Sequence, residues 1–186
     1  AYIFKNTGDG IFELMTVLHP LDNISSSQYG HSVAISGDIA VVGAPYNAID
    51  GVSAAGSVYV YFREGDNWIQ RHKLVGDSGN QSDLFGIDIC LSGKKLIVAV
   101  PGAKVLGNEN QGVVYYFHFK GLRLTQKLQI IAPDGAANDS FGSSVNIKGD
   151  RIIIGAPGKQ IMGRLQQGRA YTFTVLDDAL RYLGRL

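Results

Sequence analysis

The chain has one cysteine, Cys90, so it can form no internal disulfide; a disulfide-stapled scaffold is excluded and the redox compartment is left open. Neither sign of charge is in excess: 17 Lys and Arg stand against 16 Asp and Glu, and the cations are scattered. Binding a phosphate backbone needs clustered cations, so nucleic acid is not expected as a partner. No apolar run approaches the roughly 20 residues of a membrane helix and no charged-then-apolar leader opens the sequence, so membrane insertion is not expected either. The first residue, Ala1, already sits in strand-like Ala1-Tyr2-Ile3-Phe4, which implies a processed leader or further sequence upstream.

Signatures of catalysis are equally scarce. There is no Gly-x-Ser-x-Gly elbow, His-Glu-x-x-His helix, Walker loop or Gly-x-Gly-x-x-Gly fingerprint. The histidines, His19, His31, His72 and His118, occupy unrelated places and read as ordinary surface or strand residues. Cys90 lies in apolar Ile87-Asp88-Ile89-Cys90-Leu91 with no basic neighbour to activate it, and reads as a buried inert thiol. The expectation is a non-enzymatic protein with no cofactor.

What the chain has instead is glycine, 24 residues of it, set in a strict internal repeat. An aromatic-Gly pair recurs every 56 residues at Tyr29-Gly30, Phe85-Gly86 and Phe141-Gly142. Gly43-Ala44-Pro45, Ala99-Val100-Pro101 and Gly155-Ala156-Pro157 keep that interval. So do Gly56, Gly112 and Gly168, each followed three residues later by Tyr59, Tyr115 or Tyr171. Trp68, Leu124 and Leu180 hold the register, as do Leu74, Ile130 and Leu186.

Within a unit the text predicts four strands. Val33-Ala34-Ile35 turns through Ser36-Gly37-Asp38 into Ile39-Ala40-Val41-Val42, with Ser92-Gly93-Lys94 and Lys148-Gly149-Asp150 as the matching hairpin signals. The third strand, Val58 to Phe62, is aromatic and β-branched, and Gly65-Asp66-Asn67 turns it into Trp68 to Leu74. The second strands, Ile39 to Val42, Leu96 to Val100 and Ile152 to Ile154, are apolar without alternation, which implies cover on both faces. A parallel α/β sheet would also show such runs, but it needs crossover helices, and the links here are Gly, Ser, Asn and Asp. The tail from Leu176 to Leu186 matches Gly65 through Leu74 two units earlier, which predicts a hairpin turning at Asp177-Asp178 rather than a helix.

Four short strands in series define a propeller blade or a similar stacked sheet array. The predicted organisation is all-β. Residues 1–28 form the closing half of a preceding blade plus a linker, and three units follow at 29–84, 85–140 and 141–186. That gives 3.5 blades of a larger propeller, taken as seven-bladed, completed by further blades of the same chain or by a second copy.

The string Phe141-Gly142, Gly155-Ala156-Pro157, Gly168, Tyr171-Thr172-Phe173 resembles the FG-GAP repeat, the blade unit of integrin α-subunit propellers and of many secreted or surface proteins. The short hairpins resemble the bacterial variant. Calcium-binding blades of that family carry an Asp-x-Asp-x-Asp-Gly loop where this chain has only Gly37-Asp38, Gly93-Lys94 and Gly149-Asp150. One carboxylate or none does not supply the 6–8 oxygens calcium takes, so no metal site is carried over. The resemblance implies extracellular or cell-surface recognition of a protein or glycan, with a secreted carbohydrate-active or other hydrolytic enzyme as the alternative.

Antiparallel alternation puts the longer links, those between strands two and three and between units, at one end of the blades. Rigid scaffolds present recognition residues on such loops. The candidates are Tyr46, Asn47, Asp50, Lys104, Asn108, Lys159, Gln160 and Arg164. Trp68, Tyr46 and Tyr61 are aromatics of the kind that stack on sugars, although Trp68 recurs as Leu124 and Leu180 and so reads as core. Acidic and amide residues precede each aromatic-Gly pair: Asp22 and Asn23; Asp77, Asn80 and Asp83; Asp134, Asn138 and Asp139. They read as turn residues bonding their own backbone, with a weak cation or polar-ligand site as the alternative. The same loops hold Asn-x-Ser sequons at Asn23, Asn80 and Asn138, sites of glycosylation if the protein is eukaryotic and secreted.

Overall fold

A computed structural model of the chain describes residues 1–22, 25–77, 80–176 and 179–186, with Lys127 described by its backbone alone. The predicted turn at Asp177-Asp178 and the sequon residue Asn23 lie outside the described residues. Among those described there is no helix, and the strands run in chain order. A two-stranded sheet, β1 (Tyr2–Gly8) and β2 (Ile11–Val17), comes first. Three four-stranded sheets follow: β3 (Val33–Ser36) to β6 (Asn67–Leu74), β7 (Ile89–Ser92) to β10 (Arg123–Ile130), and β11 (Ser144–Lys148) to β14 (Ala179–Arg185). Every neighbouring pair is antiparallel and sequential, so each sheet is a simple meander. The all-β blade expectation holds.

Sheets meet through their first strands, β3 against β7 and β7 against β11, as blades do around an axis. Between them lie three apolar layers. Ile3 and Leu18 pack with Ala40, Val42, Tyr59 and Tyr61. The other face of the same strands, Val41, Val58, Val60 and Phe62, packs with Leu96, Val98, Tyr115 and Phe117. Ile97, Ala99, Val114 and Tyr116 then face Ile152, Ile154, Tyr171 and Phe173. This explains the unbroken apolar runs of β4 (Ile39–Ala44) and β8 (Lys95–Val100): both faces are covered. In β12 (Arg151–Ala156) burial alternates instead, because Ile153 points to a face that no sheet among the described residues covers.

The repeat motifs are joints between these layers. Each aromatic of the aromatic-Gly pair packs on the tyrosine of its own unit: Tyr29 on Tyr59 at 5.5 Å between ring centroids, Phe85 on Tyr115 at 5.7 Å, Phe141 on Tyr171 at 5.4 Å. The glycine that follows donates its N–H to the carbonyl of residue 43, 99 or 155, the first of each Gly-Ala-Pro element, at 2.9, 3.0 and 2.9 Å. In the middle unit Ala99 and Val100 replace Gly and Ala. The side chain facing that position changes too. Ser32 and Ser144 crowd Gly43 and Gly155, whereas the matching Asp88 reaches across to accept the Val145 N–H at 2.7 Å.

Candidate functional site

At the long-loop end, the link between second and third strands is more structured than its composition predicts. In each unit four residues close a two-residue hairpin through paired bridges: Ile49 with Val52, Val105 with Asn108, Ile161 with Arg164. Its two central residues, Asp50-Gly51, Leu106-Gly107 and Met162-Gly163, all have positive φ, the type I′ pattern. That turn prefers Asn, Asp or Gly at its first central position. Leu106 and Met162 sit there nevertheless, 90% and 98% exposed, with Leu165 exposed beside Met162.

The predicted contact residues divide in two. Asp50, Lys104, Gln160 and Arg164 are exposed, and Tyr46 is outward with its ring edge-on to His31 at 6.4 Å. Asn108 is half-buried and donates to Gln111 at 2.8 Å. Asn47 and Lys159 are buried and engaged inside: Asn47 donates to Ser57 at 2.9 Å and Tyr59 at 3.3 Å, and Lys159 to Asp139 at 2.8 Å. A buried, satisfied side chain has no bond to offer a ligand, so neither is taken forward as a contact residue. Of the candidate sugar platforms, Tyr61 is buried and Trp68 packs against the first apolar layer, which leaves Tyr46. Asn80 and Asn138 are exposed, Asn138 accepting from Asn110 at 3.1 Å. Cys90 is half-buried between β7 and β11, its sulfur accepting the Ile147 N–H at 3.4 Å.

The acidic residues before each aromatic-Gly pair do two jobs. Asp83 and Asp139 are buried and accept the backbone N–H groups of Asn80 and Ala136 at 2.9 and 2.8 Å, the expected local turn. Asp22 and Asp134 instead bind side chains of the following sheet. Asp22 accepts from the Tyr59 hydroxyl at 3.0 Å and pairs with Lys73 at 2.7 Å, while Lys73 lies over the Tyr59 ring at 5.8 Å. Asp134 accepts from Tyr171 and pairs with Arg169, both at 2.6 Å, with Arg185 at 3.4 Å and Lys159 beside it. Partial burial alone raises both carboxyls. The hydrogen bonds from Lys73 and Tyr59, and those from Tyr171 with the charges of Lys159 and Arg169, outweigh it and hold them below the ordinary carboxylate range. In return the phenols are pushed up, Tyr59 to about 12, first by burial and then by the facing carboxylate. Among the described residues, no three His, Cys, Asp or Glu side chains converge on a common metal position.

Stacked antiparallel meanders with repeating loops at one end define a propeller-type repeat module. The FG-GAP repeat profile matches residues 12–61 and 124–173, together more than half of the chain. The protein belongs to the FG-GAP repeat family. Each matched stretch opens in the outer strand of one sheet and ends in the third strand of the next, so the profile's unit bridges two sheets. No curated protein matches the chain.

Proposed function

We propose that this chain is a non-catalytic recognition module that binds a protein partner through its long-loop face, outside the cell or at its surface. The observation that carries the reading is the pair of turn tips at Leu106 and Met162. An aliphatic residue in the left-handed region costs conformational energy that Asn or Asp would avoid, and burial gives nothing back. A partner's apolar surface would offset that cost. Aliphatic knobs suit a protein surface better than a glycan, which is gripped by aromatic platforms, and Tyr46 is the one outward-facing candidate of that kind. The extracellular setting rests on the likeness to integrin α-subunits and on the exposed sequon residues Asn80 and Asn138.

The test uses the labelled full chain on cultured cells, with the double variant Leu106→Asp and Met162→Asp beside it. Asp50 holds the same position in the first unit, so the substitution suits the turn. Binding should fall at least tenfold in the variant, vanish when the cells are trypsinised, and survive glycosidase treatment. Equal binding by variant and native chain would refute the reading; loss on deglycosylation alone would turn it towards a glycan.

A further inference from the structure

The polar joint between successive sheets is built three times, and one of the three is unfinished. In the first unit, Asn47 and Ser57 fill the space beside Tyr59, and Lys73 covers the ring and pairs with Asp22. The third unit fills the matching space with Lys159 and Arg169 beside Tyr171, and Arg185 completes the charge around Asp134. In the middle unit those three positions are Ala103, Val113 and Gln129. Each is shorter or neutral, and none is a cation. In their place is a cavity of about 430 Å³, walled by Ala103, Val105 and Val113, with Tyr115, Gln129 and Asp77 turned to it. That volume falls in the range of small-ligand sites.

The carboxylate of this cavity is matched only by amides. Asp77 accepts from Gln129 at 2.9 Å and from Gln126 at 3.3 Å, and among the described side chains no cation pairs with it. Lys104, on the rim, is committed to Glu109. Asp77 and Tyr115 line the same cavity, and burial first, then the negative charge of Asp77, push the Tyr115 phenol upward. An acid and a tyrosine face are what Lys73 meets in the first unit.

We infer that the Asp77 cavity of the middle unit receives a lysine or arginine side chain of the protein partner, its alkyl stem along Val105 and Val113 and its cationic head between Asp77 and the Tyr115 ring. The cavity opens at the long-loop end beside Leu106, so the inference rests on the recognition reading above and names one contact within it.

The experiment titrates the full chain with N-acetyl-arginine amide and N-acetyl-lysine amide, followed by NMR shifts of the Tyr115 and Gln129 resonances, against N-acetyl-norleucine amide as the neutral isostere. Saturable binding of the cationic probes, at least about tenfold tighter than the isostere, is expected. Asp77→Asn should weaken it by a similar factor. Ala103→Lys should abolish it, because the sister residue Lys159 carries its own cation into the equivalent space. Circular dichroism confirms that each variant is folded, and Asp77→Asn, an exposed isosteric change, keeps the test decisive should Ala103→Lys unfold. Binding of norleucine amide as tight as that of arginine amide, or undiminished binding in Asp77→Asn, overturns the site. Cell binding lost in the Leu106 and Met162 variant but retained in Asp77→Asn overturns the site and leaves the recognition reading standing. Cationic-probe binding lost in Asp77→Asn, with cell binding indifferent to the tip variant, upholds the pocket and removes the reading.

Discussion

The Lys159 ammonium donates to the Asp139 carboxylate at 2.8 Å, with both side chains buried. Breaking such a pair from one side leaves an uncompensated buried charge, but the two sides are not equivalent. Asp139 also accepts the Ala136 N–H, and Lys159 also donates to the Asp134 backbone carbonyl. Removing the lysine leaves Asp139 holding the turn, whereas neutralising the carboxylate weakens the bond to Lys159 and the turn together. Asp139→Asn should cost about 3 kcal/mol and Lys159→Ala about 1 kcal/mol, measured by urea unfolding at neutral pH. Equal costs would disprove the asymmetry.

The joints also set the response to pH. Asp22 and Asp134 ionise more readily folded than unfolded, so the bonds they accept are fully present above the ordinary carboxylate range near pH 4 and are lost as pH falls through their lower folded values. The buried phenols act at the other end. Tyr59 is raised, so its contribution is complete below the ordinary phenol value near 10 and is lost as pH rises through about 12. Guanidinium midpoints should be flat between about pH 5 and 9, falling on both sides. Asp134→Asn should shallow the acid limb and leave the alkaline limb, which Tyr171 shares with Tyr59, largely in place. An acid limb unchanged in that variant would show that the Asp134 joint contributes nothing.

The tips offer a gain rather than a loss. Leu106 and Met162 occupy type I′ positions that Asn adopts with little strain, and neither side chain is packed. Leu106→Asn and Met162→Asn should each raise stability by roughly 0.5–1 kcal/mol while weakening partner binding, the trade expected of residues kept for contact. Thermal unfolding reads the first effect and cell binding the second. A variant no more stable than the native chain would mean that the backbone there carries no strain.

Those turns also mark where the sequence stopped being readable. The hairpins at Gly37-Asp38, Gly93-Lys94 and Gly149-Asp150 were legible because glycine stands where φ must be positive, and the two-faced burial of β4 and β8 because their apolar runs do not alternate. Leu-Gly and Met-Gly carry no such signal, since an aliphatic residue is a poor former of that turn, and the segments read only as loop. Asn47 and Lys159 read as outward polar residues for a similar reason. Their partners, Ser57 and Asp139, lie 10 and 20 residues away and come into view only once the strands are paired. The Asp77 cavity had a trace in the repeat, where Ala103, Val113 and Gln129 replace polar or charged sister residues. Only the fold shows that all three face one space.

Glycine 112 tests the joint between units from the backbone side. Its φ is +88°, and a Cβ added there would fall on the Phe141 carbonyl oxygen of the next unit. Gly93, at +59°, opens to solvent. Both substitutions to Ala carry the left-handed penalty, roughly 1 kcal/mol, but only the first adds a backbone clash. Gly112→Ala should cost about 3 kcal/mol or more and Gly93→Ala about 1 kcal/mol by urea unfolding. Similar costs would mean that the approach of Phe141 to Gly112 is looser than it stands.

One face of the first four-stranded sheet is partly bare, and the repeat supplies its own control. Val33 is 61% exposed, while its counterparts Ile89 and Val145 are 5% and 8% exposed, because a preceding first strand covers the latter two and none among the described residues covers the former. With Ile35, Tyr2 and Phe4, Val33 borders an apolar groove between β1 and β3. Exposed apolar surface of this kind drives association. Light scattering of the purified chain should show a mass that rises with concentration, and the Val33→Lys and Ile35→Lys double variant should suppress the rise while changing stability by less than about 0.5 kcal/mol per site. Val145→Lys, the same chemistry where a neighbouring sheet covers the position, should cost about 3 kcal/mol or more. A native chain that stays monomeric at all concentrations would mean the groove is too shallow or too polar at its rim to nucleate contact. Equal costs at residues 33 and 145 would contradict the stacking of the sheets itself.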